Sequence, residues 1–326
     1  MKNILIIGGA GYIGRQIANL LNKKKYKIFV IDDLSTTKKN YLNKNINFFK
    51  VNILNKPKME KIFKKYHFNT VMHLAAKCVI SESEKYPQKY YSTNVVGTKN
   101  IIKCCKKYEI KNFIFSSSCS VFSNKTKKVT ENSIKKPISY YGKTKLIAEK
   151  LIKKNFDKSN IKFIILRYFN VVGADKKNKI GEIGNKDRLF NNISKKIIQN
   201  KNNINIYGND YKTKDGTCIR DYIHVHDLAN IHIKCLENIK KINKSINLNC
   251  SYGKGYSVLE IAKTFQKIYN KNIKINFQKR RIGDMKEIVA SNKKLNNFIK
   301  WKPKFNNLNK MVISTFTWNK YISKIL

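Results

Sequence analysis

The chain has 326 residues and a formal net charge of +48, with 68 Lys and Arg residues against 20 Asp and Glu residues. This length predicts two domains with enough chain for a sizeable core. The lysines are scattered in runs of no more than three, and Asn and Ile, which also have codons made only of A and T, are abundant. Because no nucleic-acid-binding motif accompanies the charge, we attribute it to codon bias and expect no nucleic-acid partner.

The cysteines and the hydropathy pattern indicate the compartment. The seven cysteines are odd in number and contain no CxxC pair, which fits a reducing environment. The first apolar run is too short for a signal peptide before glycines interrupt it, and no later stretch approaches the roughly 18 apolar residues of a membrane span. We therefore expect a soluble, cytoplasmic protein that has no membrane partner.

The first 35 residues carry a nucleotide-binding pattern. The apolar run Ile4–Ile7 predicts a buried strand, and Gly8, Gly11 and Gly14 follow it and open an amphipathic helix. Glycines there let the backbone approach a pyrophosphate at the helix N-terminus. Asp32 ends the second predicted strand, where a carboxylate can bond a ribose 2′-hydroxyl and repel a 2′-phosphate. The pattern favours NAD over NADP, and an ordinary glycine-rich turn is the alternative.

Strand-like and helix-like segments then alternate along the chain. The predicted strands are INFFKVNI, TVMHLAA, NFIFSSS and KFIILRYFN, and helix-like segments such as KPKMEKIFKKY and NVVGTKNIIKCCKKYE lie between them. This rhythm predicts an α/β fold with a Rossmann-type doubly wound parallel sheet, followed by a smaller C-terminal α/β substrate domain. Ligands in such sheets bind beyond the carboxyl ends of the strands.

The segment SYYGKTK contains a tyrosine and a lysine that are four residues apart. Of the 18 tyrosines only Tyr141 has a lysine at this offset, Lys145, although composition alone would give about three or four such pairs. On the predicted helix SYYGKTKLIAEKLI both lie on one face. A neighbouring ammonium and an oxidised nicotinamide would favour the phenolate, and Ser118 at the end of NFIFSSS could relay its proton. The alternative is a surface helix with a half-buried tyrosine and a solvated lysine.

Several motifs together identify a family. GGAGYIG, SSS followed by YGKTK, RYFNVVGA, YGNDYKTKDGTCIRDYIHVHDLA and RRIGD resemble, in order and spacing, the UDP-glucose 4-epimerase family of extended short-chain dehydrogenases/reductases. The resemblance runs from Met1 to the region of Trp318. It implies a tightly held NAD, a UDP-sugar bound across a domain cleft, and a homodimer. We expect the NAD-binding domain at residues 1–171, with the chain returning to it around 216–250, and the UDP-sugar-binding domain at 172–326.

The resemblance also implies roles for individual residues. Tyr141 corresponds to the base that takes the proton of the sugar 4-hydroxyl, Lys145 to its activator and ribose anchor, and Ser118 to the hydroxyl partner. The residues implied to bind NAD are Gly8, Gly11, Tyr12, Ile13, Gly14, Asp32, Asp33, Asn52, Ile53, Leu74, Ala75, Ala76, Lys77, Asn94, Ser116, Tyr141, Lys145 and Tyr168. Those implied to bind the UDP-sugar are Ser118, Asn170, Leu189, Tyr207, Arg220, Arg281 and Asp284.

Four positions depart from the family pattern or leave the substrate open. Asn52 stands where an aspartate is usual, and Phe122 replaces a tyrosine. Arg188 occupies a place that is commonly Asn or His, so we favour the neighbouring Leu189 as the ligand contact. Ile288 falls where side-chain bulk affects the acceptance of N-acetylated sugars. Arginine suits phosphate recognition because its planar guanidinium can bond two oxygens at once. For Arg220 and Arg281 the alternative is a structural salt bridge.

Other functions were weighed on sequence grounds. His224 and His226 would share one face of a strand, but no Cys, Asp or Glu cluster at ligand spacing accompanies them, so we expect no metal. A sugar-nucleotide dehydratase would require an Asp-Glu pair near SSSCS, which has neither. A non-catalytic NAD-binding protein would be expected to lack Tyr141 or Lys145. An epimerase of UDP-N-acetylhexosamines remains an alternative.

Overall fold

A computed structural model describes residues 2–24, 26–37, 40–123, 128–177, 179–183, 188–201, 203–281 and 284–325. The strands are β1 (Lys2–Ile7), β2 (Tyr26–Asp32), β3 (Asn47–Lys50), β4 (Thr70–His73), β5 (Asn112–Ser118), β6 (Lys128–Val129), β7 (Lys162–Tyr168), β8 (Asn170–Val172), β9 (Asn203–Tyr207), β10 (Ile219–His224), β11 (Ile246–Cys250), β12 (Gly255–Ser257), β13 (Lys274–Gln278) and β14 (Glu287–Ala290).

The helices alternate with these strands through most of the chain. They are α1 (Tyr12–Asn22), α2 (Lys56–Tyr66), α3 (Ile80–Lys85), α4 (Pro87–Tyr91), α5 (Gly97–Lys107), α6 (Tyr140–Phe156), α7 (Leu189–Ile198), α8 (Val225–Asn238), α9 (Val258–Tyr269), α10 (Lys293–Ile299) and α11 (Leu308–Ile322). A π-helix at Ser92–Val96 precedes α5, and 3₁₀ helices lie at Cys119–Val121 and Ile239–Lys241.

The predicted doubly wound sheet is present. Within the described residues it has seven strands in the order β11-β7-β5-β4-β1-β2-β3, and each paired neighbour runs parallel. Side chains of β1 alternate between the faces, so Ile4 and Ile6 pack with α1 and α8 while Leu5 and Ile7 pack with α2, α5 and α6. Both faces are therefore buried, which explains why the strands are apolar runs without polar alternation.

Smaller sheets follow on the C-terminal side. In the described residues β12-β10-β14-β6 form one sheet, β8 also pairs with β10, and β13 pairs with β9. β11 adds to the large sheet beside β7, and β6 from the first half of the chain pairs with β14. The two regions thus exchange strands, and a domain boundary at residue 171 stays a prediction.

Two expectations about local structure are corrected. The segment KFIILRYFN is not one strand, because β7 ends at Tyr168 and β8 begins at Asn170 to pair with β10. His224 ends β10 and caps α8, whereas His226 lies inside α8, so the two histidines do not alternate on one strand. Their ring nitrogens hydrogen-bond to the Ser314 hydroxyl at 3.0 Å and the Gln16 amide at 3.1 Å, respectively. Both imidazoles therefore connect packed elements.

The described residues contain neither a metal-ligand cluster nor a helix suited to span a membrane. No group of three or more His, Cys, Asp or Glu side chains in these ranges is placed to hold a metal ion. Among the helices of the same residues, none combines the length and apolar character that crossing a bilayer requires.

Four buried histidines predict an acid-sensitive fold. Burial lowers the pKa of His73 and His224 to about 3 and of His232 to about 4, and it also lowers the pKa of His226. The unfolded chain binds these protons near pH 6.5, so their contribution is complete above that pH and is lost as pH falls toward the folded pKa. Each histidine then reduces the free energy of unfolding by about 1.4 kcal/mol per pH unit.

Urea unfolding of a His224→Asn variant between pH 7 and pH 4 tests this. Asparagine keeps a helix cap on α8 but does not titrate, so we expect its pH slope to be smaller than that of the wild type by about 1.4 kcal/mol per pH unit. His67 is exposed and adopts the left-handed conformation that asparagine accepts, so His67→Asn is the matched control. Equal slopes for the His224→Asn variant and the wild type would contradict the prediction.

Candidate active site

The turn between β1 and α1 can accommodate only glycine at its first position. Gly8 has a φ of 84°, and a Cβ there would lie 2.4 Å from the Ala75 backbone nitrogen. Gly11 is the N-cap residue of α1 and has extended backbone geometry. The first amides of α1 have no carbonyl partner within the helix, and with the helix dipole they favour an anion. The chain thus forms a cradle suited to a diphosphate.

The carboxylate at the end of β2 lies at the rim of this cradle. Asp32 accepts hydrogen bonds from the Ala10 amide at 3.0 Å and the Leu34 amide at 2.8 Å. Burial raises the pKa of Asp32, and these backbone amides oppose that rise. Asp33 accepts from the Asn52 side-chain amide at 2.8 Å, so the asparagine that departs from the family pattern orients a neighbouring carboxylate.

Other residues predicted to bind NAD follow the same edge of the sheet. Tyr12, Ile13 and Gly14 lie in the first turn of α1, Ile53 follows β3, and Leu74, Ala75, Ala76 and Lys77 form the loop after β4.

Asn94 connects that loop to the helix that carries the tyrosine–lysine pair. Its side-chain oxygen accepts from the Lys77 amide at 2.8 Å, and its side-chain nitrogen donates to the Lys77 carbonyl at 3.0 Å. The same nitrogen donates to the Thr144 hydroxyl of α6 at 3.0 Å. Asn94 lies in the π-helix, and such local distortions are frequent at functional sites. One amide therefore fixes the position of α6 relative to the loop after β4.

The helix α6 begins beside the end of β5. Ser139 caps the helix by accepting from the Gly142 amide at 3.1 Å. A Cβ on Gly142 would lie 2.3 Å from the Ser120 carbonyl oxygen, so the glycine allows the helix to approach the segment that follows Ser118. The SYYG sequence thus both starts the helix and sets how closely it packs.

The three residues predicted to act in catalysis are brought together. The side chain of Ser118 lies close enough to the hydroxyl of Tyr141 to lower the pKa of the phenol, and the Ser118 hydroxyl donates to Ser120 at 3.2 Å. The ammonium of Lys145 donates to the Ser116 carbonyl at 2.6 Å and lies 4.8 Å from the centroid of the Phe115 ring. All three side chains come from the carboxyl end of β5 and the first turns of α6, and each is nearly buried.

Burial opposes the charged form of both titrating groups. It raises the pKa of Tyr141 above its ordinary value, and the hydrogen bond from Ser118 and the charge of Arg188 act against that rise. Burial lowers the pKa of Lys145 to about 8, while Cys78 and Glu149 raise it. The protein's own charges therefore leave the phenol protonated at neutral pH. Its ionisation requires a further cation close to the ring, such as an oxidised nicotinamide.

Predicted substrate-binding residues form two contacts outside the large sheet. Arg220 forms a salt bridge to Asp284 at 2.5 Å, and the Arg281 guanidinium carbon lies 4.0 Å from the centroid of the Tyr207 ring. Burial raises the pKa of Cys119, the residue after Ser118, to about 11, and Arg220 opposes this rise. The arginine is therefore within electrostatic range of the end of β5. Asn170 begins β8 and Leu189 begins α7.

Arg188, which the sequence did not single out as a site residue, contacts two other segments near the predicted site. Its guanidinium forms a salt bridge to Glu182 at 2.7 Å and donates to the Val171 carbonyl at 3.0 Å. Burial lowers its pKa, but Glu182, Cys78, Tyr12 and Tyr141 raise it, and the net result is a raised pKa. The rarity of arginine in a lysine-rich chain was the signal that could have indicated this residue.

The side chain of Tyr168 points to the interior. Its hydroxyl is hydrogen-bonded to the His232 ring and to Ser116. The aromatic ring and backbone, rather than the hydroxyl, are the parts of this residue left to contact a cofactor.

The sequence profile of the NAD dependent epimerase/dehydratase family matches residues 4–251. The chain belongs to this family. The UDP-glucose 4-epimerase of Lactobacillus helveticus is 35% identical over 97% of this chain and 97% of its own length. Members of this family depend on NAD, and the roles of the glycine cradle and Asp32 in holding it stay predictions.

Solved structures agree with that assignment. A UDP-glucose-4-epimerase from Stenotrophomonas maltophila, crystallised with bound NAD and formylated UDP-arabinopyranose, is 28% identical, covers 100% of both chains and has a TM-score of 0.93. The UDP-Glc/GlcNAc 4-epimerase of Campylobacter jejuni is 33% identical over 98% of this chain and 100% of that chain, with a TM-score of 0.83.

Asp32 is expected to select NAD over NADP. Removing its carboxylate in Asp32→Ala deletes a charged acceptor for the ribose 2′-hydroxyl and also the repulsion of a 2′-phosphate. We expect NAD affinity measured by calorimetry to fall by about 10- to 100-fold while NADP affinity holds or rises. Asp157→Asn, at the exposed end of α6, is the control. An equal loss of both dinucleotides would indicate only a loosened turn and would refute the selective role.

Proposed function

We propose that this protein is a UDP-glucose 4-epimerase, which interconverts UDP-galactose and UDP-glucose through a transient 4-keto sugar. The observation that carries the proposal is the convergence of Ser118, Tyr141 and Lys145 at the carboxyl edge of a NAD-binding sheet, with Arg220 facing them. The epimerases from Lactobacillus helveticus and Stenotrophomonas maltophila, which match nearly the full chain, support it.

NAD is the cofactor, and the residues present fit it. The glycine cradle at Gly8 and Gly11 leaves room for a diphosphate against backbone amides, and Asp32 places a carboxylate where a ribose hydroxyl can donate. Bound NAD supplies the acceptor for the hydride of sugar carbon 4 and the donor for its return. Because the same cofactor is oxidised again within each turnover, the enzyme has no need to release it.

Tyr141 moves the proton in this proposal. Its phenolate oxygen takes the proton of the sugar 4-hydroxyl in the first half of the reaction and gives it back in the second. Ser118 lies near the phenol, where its hydroxyl can bond the same substrate oxygen. Lys145 lies one turn farther along α6, where its ammonium favours the phenolate and offers donors to a ribose.

The arginines hold the nucleotide end of the substrate. Arg220 is fixed by Asp284, and Arg281 is stacked on Tyr207, so both guanidinium groups are oriented before ligand binds. Their planar forks suit the two phosphates of UDP. Anchoring the nucleotide rather than the hexose leaves the 4-keto sugar free to turn and present its other face. This division of binding energy is what epimerisation at carbon 4 requires.

The N-acetylated substrates are a second candidate. Ile288 pairs in register with Arg220 on the neighbouring strand and packs in a small apolar cluster with Phe122 and Phe169. Its family position affects how much bulk the sugar pocket accepts. The relative from Campylobacter jejuni is named for both UDP-Glc and GlcNAc, which favours testing UDP-N-acetylhexosamines beside UDP-galactose.

An assay without added NAD tests the function. We expect purified protein to convert UDP-galactose into UDP-glucose with its own cofactor, and Tyr141→Phe to lose about two to four orders of magnitude in kcat while keeping bound NAD. Tyr140→Phe, one residue earlier and half-buried, should match the wild type. UDP-N-acetylgalactosamine is run in parallel. No conversion of either sugar by wild-type protein containing NAD would refute the proposal, and near-normal turnover by Tyr141→Phe would refute the assigned base.

We propose further that the enzyme is a cytoplasmic homodimer without a nucleic-acid or membrane partner. Val96 at the end of the π-helix and Ile147 on α6 are apolar yet 37% exposed, and these two helical segments pack against each other. A second copy of the chain would cover such side chains. We expect sedimentation at micromolar concentration to give a dimer and Ile147→Glu to weaken it. A monomer at every concentration would contradict this.

A further inference from the structure

One buried ion pair lies directly behind the catalytic residues. Glu149 and Arg167 face each other with the Arg167 Nη2–Glu149 Oε2 distance at 2.7 Å and the Nε–Oε1 distance at 2.9 Å, a bidentate geometry. The side chains are 0% and 3% exposed for Arg167 and Glu149, respectively, and no other salt bridge in the described residues is as deeply buried on both sides. The reaction as described above does not use either group.

The pair links the elements that carry the catalytic set. Glu149 lies on α6, one turn beyond Lys145, and its Oε1 also accepts from the Ser117 hydroxyl at 2.6 Å. Ser117 stands between Ser116 and Ser118 on β5. Arg167 precedes the predicted cofactor residue at the end of β7. Two side chains therefore fix α6, β5 and β7 relative to one another at the edge where the ligands bind.

A second set of contacts holds the arginine in place. Its Nη1 donates to the Glu131 carbonyl at 3.0 Å, and its guanidinium carbon lies 5.1 Å from the centroid of the Phe122 ring. The Glu131 carboxylate in turn accepts from the Asn249 amide of β11 at 2.8 Å. Each of the three guanidinium nitrogens thus has an acceptor, which helps a buried charge to be tolerated.

Stability alone is a weak reason for such a pair. Taking two charges out of water costs about as much as their attraction returns, and apolar replacements of similar volume are often neutral or stabilising. What the pair adds is a fixed geometry, because a bidentate contact tolerates little displacement of the helix against the strand. A misplacement of about 1 Å at a reacting group can reduce a rate about 100-fold.

The carboxylate of Glu149 also raises the pKa of Lys145. Burial lowers the pKa of this lysine to about 8, and the charges of Cys78 and Glu149 raise it. The other groups around the ammonium are the Phe115 ring, the Ser116 carbonyl and His73 of β4, whose own pKa is lowered by burial and by Lys145. Tyr141 shares the face of α6 by its spacing. Among these groups around Lys145, Glu149 is the one that carries a carboxylate.

We propose that Glu149 and Arg167 are positioning residues of this enzyme. The ion pair holds Ser118, Tyr141 and Lys145 in the relative positions that the reaction requires, and the Glu149 carboxylate keeps the amine of Lys145 protonated. The inference rests on the proposed function, since it assigns these roles to the catalytic set. It predicts effects on kcat and on its pH dependence, while the NAD content and the KM for the UDP-sugar change little.

Glu149→Gln tests the charge. Glutamine retains one oxygen that can accept from Ser117 and from Arg167 Nε, but it replaces the second oxygen with an NH2 donor and removes the negative charge, so Lys145 loses its proton at lower pH. We expect the alkaline fall of kcat, plotted against pH, to occur about one pH unit lower than in the wild type. The KM for UDP-galactose should stay within about twofold of the wild-type value. Glu149→Asp, which keeps the charge, should return this alkaline fall of kcat to the wild-type pH. Glu60 lies on α2, where its carboxylate pairs with two lysines, one from α2 and one from α5. Glu60→Gln removes this carboxylate and should leave the dependence of kcat on pH unchanged.

Glu149→Leu combined with Arg167→Met tests the geometry. We expect this variant to unfold in urea at a concentration equal to or above that of the wild type, to contain NAD, and to have a kcat lower by about 100-fold. If it does not fold, the profile of Glu149→Gln decides the question alone. Cys78→Ser is measured beside it, because the thiol is the other group that raises the pKa of Lys145.

The outcomes separate the inference from the proposed function. A wild type without epimerase activity would refute the function itself. An active wild type whose Glu149→Gln variant keeps its alkaline limb, or whose double variant folds and keeps its kcat, would refute the positioning role alone. A limb that shifts in Cys78→Ser but not in Glu149→Gln would transfer the electrostatic role to the thiol.

Discussion

The site depends on holding an ammonium and an ionisable phenol together where burial disfavours the charged form of each. Burial raises the pKa of Tyr141 and lowers that of Lys145, and each unit of such a shift corresponds to about 1.4 kcal/mol. The protein does not remove this conflict with a dense set of charges. In the proposed mechanism part of the compensation comes from the ligands, so Tyr141 would act as a base only when a cationic nicotinamide and a sugar hydroxyl are both in place.

The parallel sheet makes that arrangement possible. The strands of the large sheet that supply predicted site residues end at one edge, and the residues at those ends differ: a glycine after β1, Asp32 at the end of β2, an Asn94-bound loop after β4, and Ser118 at the end of β5. The helix with Tyr141 then packs against the last of these ends through a glycine. Rigid strands thereby fix the distances, and short loops supply the chemistry.

Much of this could be predicted from the sequence because the signals are local. The turn at Gly8, the acid at Asp32 and the spacing of Tyr141 and Lys145 depend on a few neighbouring residues. The Glu149–Arg167 pair could not, because the two residues lie on different elements, α6 and β7, and only the packing of α6 on the sheet brings the groups together. Residues at element boundaries were also misjudged. His224 and His226 were considered on one strand, but a helix begins between them.

The few arginines show which charges have defined contacts. Of the 68 basic residues six are arginine, and each is in the described part of the chain and makes a specific contact: Arg15 with the Gly181 carbonyl, Arg167 with Glu149, Arg188 with Glu182, Arg220 with Asp284, Arg280 with Asp210, and Arg281 with the Tyr207 ring. A lysine at these places would lose the planar fork or the stacking surface. Codon bias could convert solvated positions to lysine at little cost. The same replacement costs more where a guanidinium orients a carboxylate, a carbonyl or a ring, as at these six positions.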